Sequence, residues 1–439
     1  MIFAGALPAA ALGAIAGGIA GCIPALHIFN LLAVAAVLAP AAVLPGIPSL
    51  WLDAAVAGMI AGWSLTNSLP AILLASPDES AMFATPPGHR YLMEGRGCDA
   101  VLLTAIGGAG GMGVLALASV FAPRLLPPIH SVLSPHYHWI LWCVIAFLLL
   151  SEWPQGRTAA QPPAERLLSG NRNVLMGLLT FLLSGLLGFI LLYRPNLVHA
   201  PPGQTLMPAF AGLFALPGLL MTLVSRVRPP PQTAEARHEA SPRDLLHGIV
   251  SGTFGGMFAA LIPVVSGGVG GLLAGHAATL RGDRAFLVSQ GASKTVYYAG
   301  ALLLWFSPDL NVARGGAAAF LRGLHNPPAD AFPAIVAALL VATATTLWLL
   351  PWLGRALVHA MNRAGQAALS GMALALVVLI VASACGLAGL LILPVATAIG
   401  MIPLLFGGRR MNALGVILLP LACNMSGIGP AIAGMLGIA

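Results

Sequence analysis

Few residues in this 439-residue chain can do chemistry, and they gather at a handful of places. His27 and Asn30 follow Pro24 in IPALHIFN, and Ser266 and Gly267 follow Pro263 in IPVVSGG. A proline inside an apolar helix lacks the amide hydrogen its turn needs and clashes with the preceding turn, so a break is expected at each. A broken helix offers free amides that attract an anion and unwound carbonyls that hold a cation. His27 titrates near neutrality and can carry a proton, or its imidazole simply bonds a neighbouring helix. A kink can also serve packing alone, but two copies beside polar residues favour a site.

A second pair of polar interruptions lies further along. Ser64, Thr66, Asn67 and Ser68 stand in GWSLTNSLPAILL, and Ser289, Gln290, Ser293, Lys294 and Thr295 in LVSQGASKTVYYAGALLL. Lys294 is the single lysine of the chain and falls in an apolar segment, where a charge costs roughly 2.5–3.5 kcal/mol on insertion scales. Either it meets a substrate or a charge partner, or it snorkels to the headgroups. Asp78, Glu79 and Asp309 stand at segment margins, where a carboxylate either caps a helix or couples a cation. The substrate-contact candidates are Pro24, His27, Asn30, Asn67, Pro263, Ser266, Gly267, Ser293 and Lys294; the coupling-ion candidates are His27, Asp78 and Asp309. With no GxxxxGK[ST], HExxH or GxSxG, no catalytic residue, resident metal or cofactor is expected beyond a coupling proton or Na⁺, and the chain reads as no enzyme.

The elements that must position these residues are membrane helices. Hydrophobic residues make up 58% of the chain and charged ones 8%, against about a quarter charged in soluble domains, so the bilayer is the solvent. Apolar stretches fall at 3–22, 26–44, 54–75, 101–122, 138–151, 174–193, 205–225, 244–262, 264–280, 286–306, 332–352, 370–386, 387–406 and 411–437. The expected fold is an all-α polytopic membrane protein of about 12–14 membrane segments, some broken at proline or re-entrant. The formal charge of +7 sits between apolar runs without stacking aromatics, which excludes nucleic acid as a partner. The five cysteines have no CxxC spacing and read as small apolar helix residues.

The polar, proline-rich stretch 226–243 separates residues 1–225 from residues 244–439. If this linker is cytoplasmic, loops 77–100, 152–172, 226–243, 281–284, 354–369 and 407–411 hold fifteen arginines, and the opposite side holds four. That bias satisfies the positive-inside rule and puts the N-terminus outside. Ile23-Pro24 aligns with Ile262-Pro263, and Ser76-Pro77-Asp78 with Ser307-Pro308-Asp309, the landmarks lying 53 and 45 residues apart in the two halves. The halves then have opposite orientations, the inverted-repeat plan of secondary transporters. Pro208/Pro217 and Pro394/Pro403 share a spacing but run in one direction, and read as kinked packing helices.

IPALHIFN, the stretch 68–101 with Pro87-Gly88-His89-Arg90 and Glu94-Gly95-Arg96-Gly97, IPVVSGG and LVSQGAS together resemble the large permease subunit of the tripartite tricarboxylate transporters, and more closely its divergent, archaeal-type branch. Ala25 and Val264 stand where that family commonly has glycine, and Lys294 in what is usually a small polar cluster. The resemblance implies a cation-coupled symporter of small carboxylates in the inner membrane, assisted by a small membrane subunit and a periplasmic binding protein. Alternating access would proceed about a central site at the Pro24 and Pro263 breaks. A carrier of polyprenyl or other lipid phosphates is the alternative, and an intramembrane enzyme a weaker one.

Overall fold

A computed structural model describes residues 2–24, 26–28, 30–32, 48–153, 163–198, 205–225, 228–237, 239–278, 282–328 and 330–438, with no strand among them. The first half contains α1 Ile2–Ala20, helical residues at 28 and 30–32, α2 Ser49–Thr66, α3 Ser68–Leu73, α4 Thr85–Met93, α5 Gly97–Ser119, α6 Ala122–Leu133, α7 Tyr137–Leu150, α8 Pro163–Tyr193 and α9 Met207–Val224. The second contains α10 Pro242–Leu261, α11 Gly267–Ala277, α12 Asp283–Phe306, α13 Gly315–Leu324, α14 Ala331–Ala364, α15 Gln366–Phe406, α16 Gly415–Met425 and α17 Gly429–Met435.

Among the described residues seven helical stretches are long and apolar enough to cross a membrane, and an eighth arises if α16 and α17, bent by 115°, count as one broken span. The protein is a multi-pass, all-helical membrane protein. That number is below the expected segment count for identifiable reasons. Most of stretch 26–44 lies outside the described residues. Helices α10 and α12, of 20 and 24 residues, are long enough but carry polar side chains. Helix α11 has 11 residues, about 16 Å, and covers half the hydrocarbon. Within α15 the backbone leaves helical values at Gly386 (φ 59°, ψ −154°), where the sequence separates two segments. Helix α6 is a correction: residues 123–137 read as a connection, yet 122–133 forms a helix with Pro127 and Pro128 inside and no buried residue.

Both proline breaks are present. Helix α1 ends at Ala20 and helix resumes at Ile28, with Pro24 buried between them. Helix α10 ends at Leu261, Ile262 is extended, Val264 has a left-handed φ of 54°, and α11 starts at Gly267. At the start of α10 Ser241 and Asp244 cap each other reciprocally, with Pro242 in the first turn.

The chain divides into two compact units, Met1–Val132 with Gly218–Ala375, and Leu133–Pro217 with Leu376–Ala439, so each unit draws on both halves of the sequence. In the first unit α1 packs along α2 and α10 along α12; α5 packs on α12 and α10, as α14 does on α2 and α1. Setting α1 with α10, α2–α3 with α12, and α5 with α14 therefore gives every one of these contacts a counterpart. Small residues permit it. A Cβ on Gly13 or Gly17 would collide with the backbone of α2, and one on Gly252 or Gly256 with the backbone of α12. In the second unit α8 packs on α16, and Gly212 of α9 lies against Leu393 and Ala396 of α15, so the two proline-spaced segments pack on each other.

Apolar contacts in the first unit fall in two clusters. One takes Ala54 to Trp63 of α2, Val296 to Phe306 of α12 and Ala331 to Ala342 of α14; the other takes Leu69 to Leu73 of α3, Leu287 and Val288 of α12, and Leu350 to Met361 of α14. Between the clusters each helix carries buried polar residues: Ser64, Thr66, Asn67 and Ser68; Ser289, Gln290, Ser293, Lys294 and Thr295; Thr343 and Thr346. The site lies in this layer.

Candidate functional site

Helix α12 supplies the largest share. Lys294 and Tyr298 are four residues apart, so both project from one face, and both are buried, Lys294 to 3% exposure. The joint between α2 and α3 supplies Asn67, where Pro70 deprives the next turn of an amide. Beyond α3, Ala75 takes a positive φ of 53° and turns the chain back on itself, bringing Asp78 and Glu79 alongside the joint. The Pro24 break supplies His27.

Two linked groups result. In the first, the Tyr298 hydroxyl donates to Glu79 Oε1 (3.1 Å), and His27 Nε2 lies 3.0 Å from both Glu79 Oε1 and Tyr298 Oη. Nε2 and a carboxylate oxygen that close repel unless a hydrogen lies between them, and the Nε2–H form of the imidazole supplies it. Trp63 walls the group, its ring 4.9 Å from His27 and 5.3 Å from Tyr298, and its Nε1–H donates to the Leu26 carbonyl (2.8 Å). In the second group Lys294 Nζ donates to Asn67 Oδ1, and Asn67 Nδ2 donates to Asp78 Oδ2 (3.1 Å). Asp78 Oδ1 also accepts from the amides of Ser80 (3.2 Å) and Ala81 (2.8 Å). Adjacent Asp78 and Glu79 join the two groups.

The second helix break closes over the site. Ser266 caps α11, and its hydroxyl donates to the Glu79 carbonyl (3.4 Å). Ser293 Oγ donates to the Gly267 carbonyl (2.6 Å), and a Cβ on Gly267 would press on the Lys294 backbone. By distance, His27, Asp78 and Glu79 offer three ligand atoms within 4.8 Å of one another, so oxygen and nitrogen donors sized for a small cation are present.

Of the sequence candidates, His27, Asn67, Asp78, Ser266, Gly267, Ser293 and Lys294 come together here. Asn30 is buried in the turn that follows His27, its amide on the His27 carbonyl (2.9 Å), and Pro24 and Pro263 form the breaks themselves. Asp309 is exposed beyond the far end of α12, roughly 18 Å along the helix from Lys294. Ser64 and Thr66 donate to carbonyls of α2, as Ser68 does across the joint to Leu65. Two members were not among the candidates. Glu79 was placed with Asp78 at the membrane margin, because the turn at Ala75 is invisible to hydropathy. Tyr298 had a legible signal, its four-residue spacing from Lys294. Gln290, one turn before Lys294, is buried with neither amide atom hydrogen-bonded.

The chain matches the Tripartite tricarboxylate transporter TctA family over residues 7–415. An uncharacterized protein of Methanocaldococcus jannaschii is 25% identical over 289 residues, which is 64% of this chain. The chain spans 64% of that curated relative's length. No solved structure matches. The extent of the family match, with polar layer and paired breaks falling inside it, places the chain among transporters rather than enzymes: it belongs to the tripartite tricarboxylate transporter TctA family.

Proposed function

We propose that this chain is the permease of a secondary active transporter, carrying a small organic anion, a carboxylate, across the cytoplasmic membrane together with a cation. The observation that carries the reading is the cluster of half-buried His27 and Asp78 with buried Glu79, Asn67 and Lys294, set against two broken helices in a protein of a transporter family. A stably folded membrane helix gains nothing from burying three or four ionisable groups, so function is the reason to keep them. A doubly protonated His27 together with Lys294 balances Asp78 and Glu79 to zero. An arriving monoanion unbalances the site by one charge, and a co-bound cation restores it; symport follows from this electrostatic cost. The unpartnered Gln290 amide is a donor suited to a carboxylate oxygen.

The two halves, 1–225 and 244–439, act as inverted repeats that rock about the site, with the linker cytoplasmic and the N-terminus outside. A small membrane subunit and a periplasmic binding protein complete the system, as the family name's three parts imply. The apolar groove of the first unit gives the lipid-phosphate alternative little to hold a headgroup. This groove of about 910 Å³ between α10 and α11 is lined by Leu246, Val250, Phe254, Phe258 and Leu273, with only His247 able to bear a positive charge.

The test is uptake of labelled mono-, di- and tricarboxylates into proteoliposomes under imposed proton and Na⁺ gradients, with a polyprenyl phosphate as comparison. Gradient-driven accumulation of a carboxylate supports the reading. Movement of the lipid phosphate alone, or of nothing under any gradient, refutes it.

A further inference from the structure

We propose that Lys294 is the resident cation of this site, filling the place a Na⁺ would take, so that no Na⁺ binds there. The inference rests on the reading of the chain as a cation-coupled permease.

The oxygens at this place are those a hard cation uses: the Asn67 amide oxygen and the Asp78 carboxylate, with buried backbone nearby. They are already engaged. Lys294 Nζ holds Asn67 Oδ1, Asn67 in turn holds Asp78 Oδ2, and Asp78 acts electrostatically on Lys294. Asp78 Oδ1 is taken by two amides and the Ser80 hydroxyl (2.9 Å). A Na⁺ about 4 Å from a buried ammonium is repelled enough to lose on the order of a thousandfold in affinity.

Lysine is tethered, so it neutralises Asp78 in every state of the cycle without being carried. His27 Nε2 and Glu79 Oε1, 3.0 Å apart, hold a hydrogen between them next to Asp78. The ionisable groups around that pair are Asp78, Tyr298 and Tyr297, with Arg314 acting on Tyr297 from the segment beyond α12. Among the described residues none is a second ammonium, so Lys294 is the fixed ammonium beside Asp78.

The experiment uses the full chain in detergent and asks for Na⁺ binding directly, with NaCl compared against choline chloride and KCl at constant ionic strength. Wild type should show no Na⁺-specific rise in melting temperature and no saturable binding of radioactive sodium. Lys294→Ala, which empties the place, should gain a Na⁺-specific rise of a few degrees. Lys294→Thr, which adds an oxygen donor and less cavity, is the second variant. Saturable Na⁺ binding by wild type overturns the proposal, and so do folded variants that gain no Na⁺ response. Should neither variant fold, the wild-type measurement decides alone. Because the readout is binding, a wild type that transports no carboxylate defeats the proposed function without touching this result.

Discussion

His27 and Glu79 share a hydrogen that neither can give up without leaving two lone pairs 3.0 Å apart. Replacing one acceptor should therefore be felt in transport more than in folding. Glu79→Gln keeps the shape and a hydrogen-bond donor but removes the exchangeable charge; uptake should fall at least tenfold while the melting temperature stays within a few degrees of wild type. Retained gradient-driven uptake would remove Glu79 from the coupling pair. A different carboxylate tests burial outside the spans. Glu152 is buried, accepts from the Arg409 amide (2.9 Å) and Asn412 Nδ2 (2.6 Å), and burial lifts its carboxyl above the ordinary value, outweighing those bonds. A raised carboxyl contributes stability fully below its ordinary value and loses it as pH rises through the folded one. Melting temperatures between pH 4 and 8 should accordingly fall for wild type relative to Glu152→Gln, the gap widening upward.

At the scale of elements, α5 and α12 cross in backbone contact. A Cβ on Gly291 would strike the Thr104 carbonyl, and one on Gly107 the Val288 carbonyl. Gly291→Val should push the helices apart at about 1–3 kcal/mol or more of overpacking, and because Lys294 lies one turn on, uptake should fall with stability. Gly323→Ala on α13, where nothing lies within 4 Å, should change neither. Equal melting temperatures and uptake for both variants would mean that the α5–α12 crossing does not position the site. The breaks obey the same physics: helices end at Ala20 and Leu261 because proline denies them a donor, and the Ala20 carbonyl accepts from the Ile23 amide instead (3.0 Å).

On the whole-molecule scale, loops assigned to one side by charge meet one another in the first unit. Arg90 pairs with Asp283, Arg284 with Glu239 (2.7 Å), and Gln232 of the linker donates to the Leu92 carbonyl (2.9 Å). The linker is thus a strap: Gln232 is 5% exposed, and the Thr233 amide bonds the Gly95 carbonyl (2.9 Å). The other ends of these helices carry the pair Asp53–His325 (3.0 Å), its carboxylate fully buried. Arg90–Asp283 and Asp53–His325 each join the start of a long helix to the short helix of the other half. In a background lacking exposed Cys143, a cysteine at Arg237 should label from the cytoplasm only and one at Arg322 from outside only. Labelling of both from one side would break the inverted arrangement.

Membrane residence, helical class, both proline breaks and the polar layer were written in the sequence, since each depends on local chemistry: apolar runs, a missing amide hydrogen, polar residues among apolar ones. The sequence also named most of the cluster, because Lys294, Asn67 and His27 are conspicuous in apolar surroundings. Tertiary structure alone chose between them. Asp78 and Asp309 both follow Ser-Pro in the sequence, yet only Asp78 folds inward, after the turn at Ala75, while Asp309 faces out. Glu79 joined the site by that same turn. The compact units cut across the sequence halves because helices from opposite halves pack backbone to backbone through glycines, and such long-range contact has no period that a linear reading can detect.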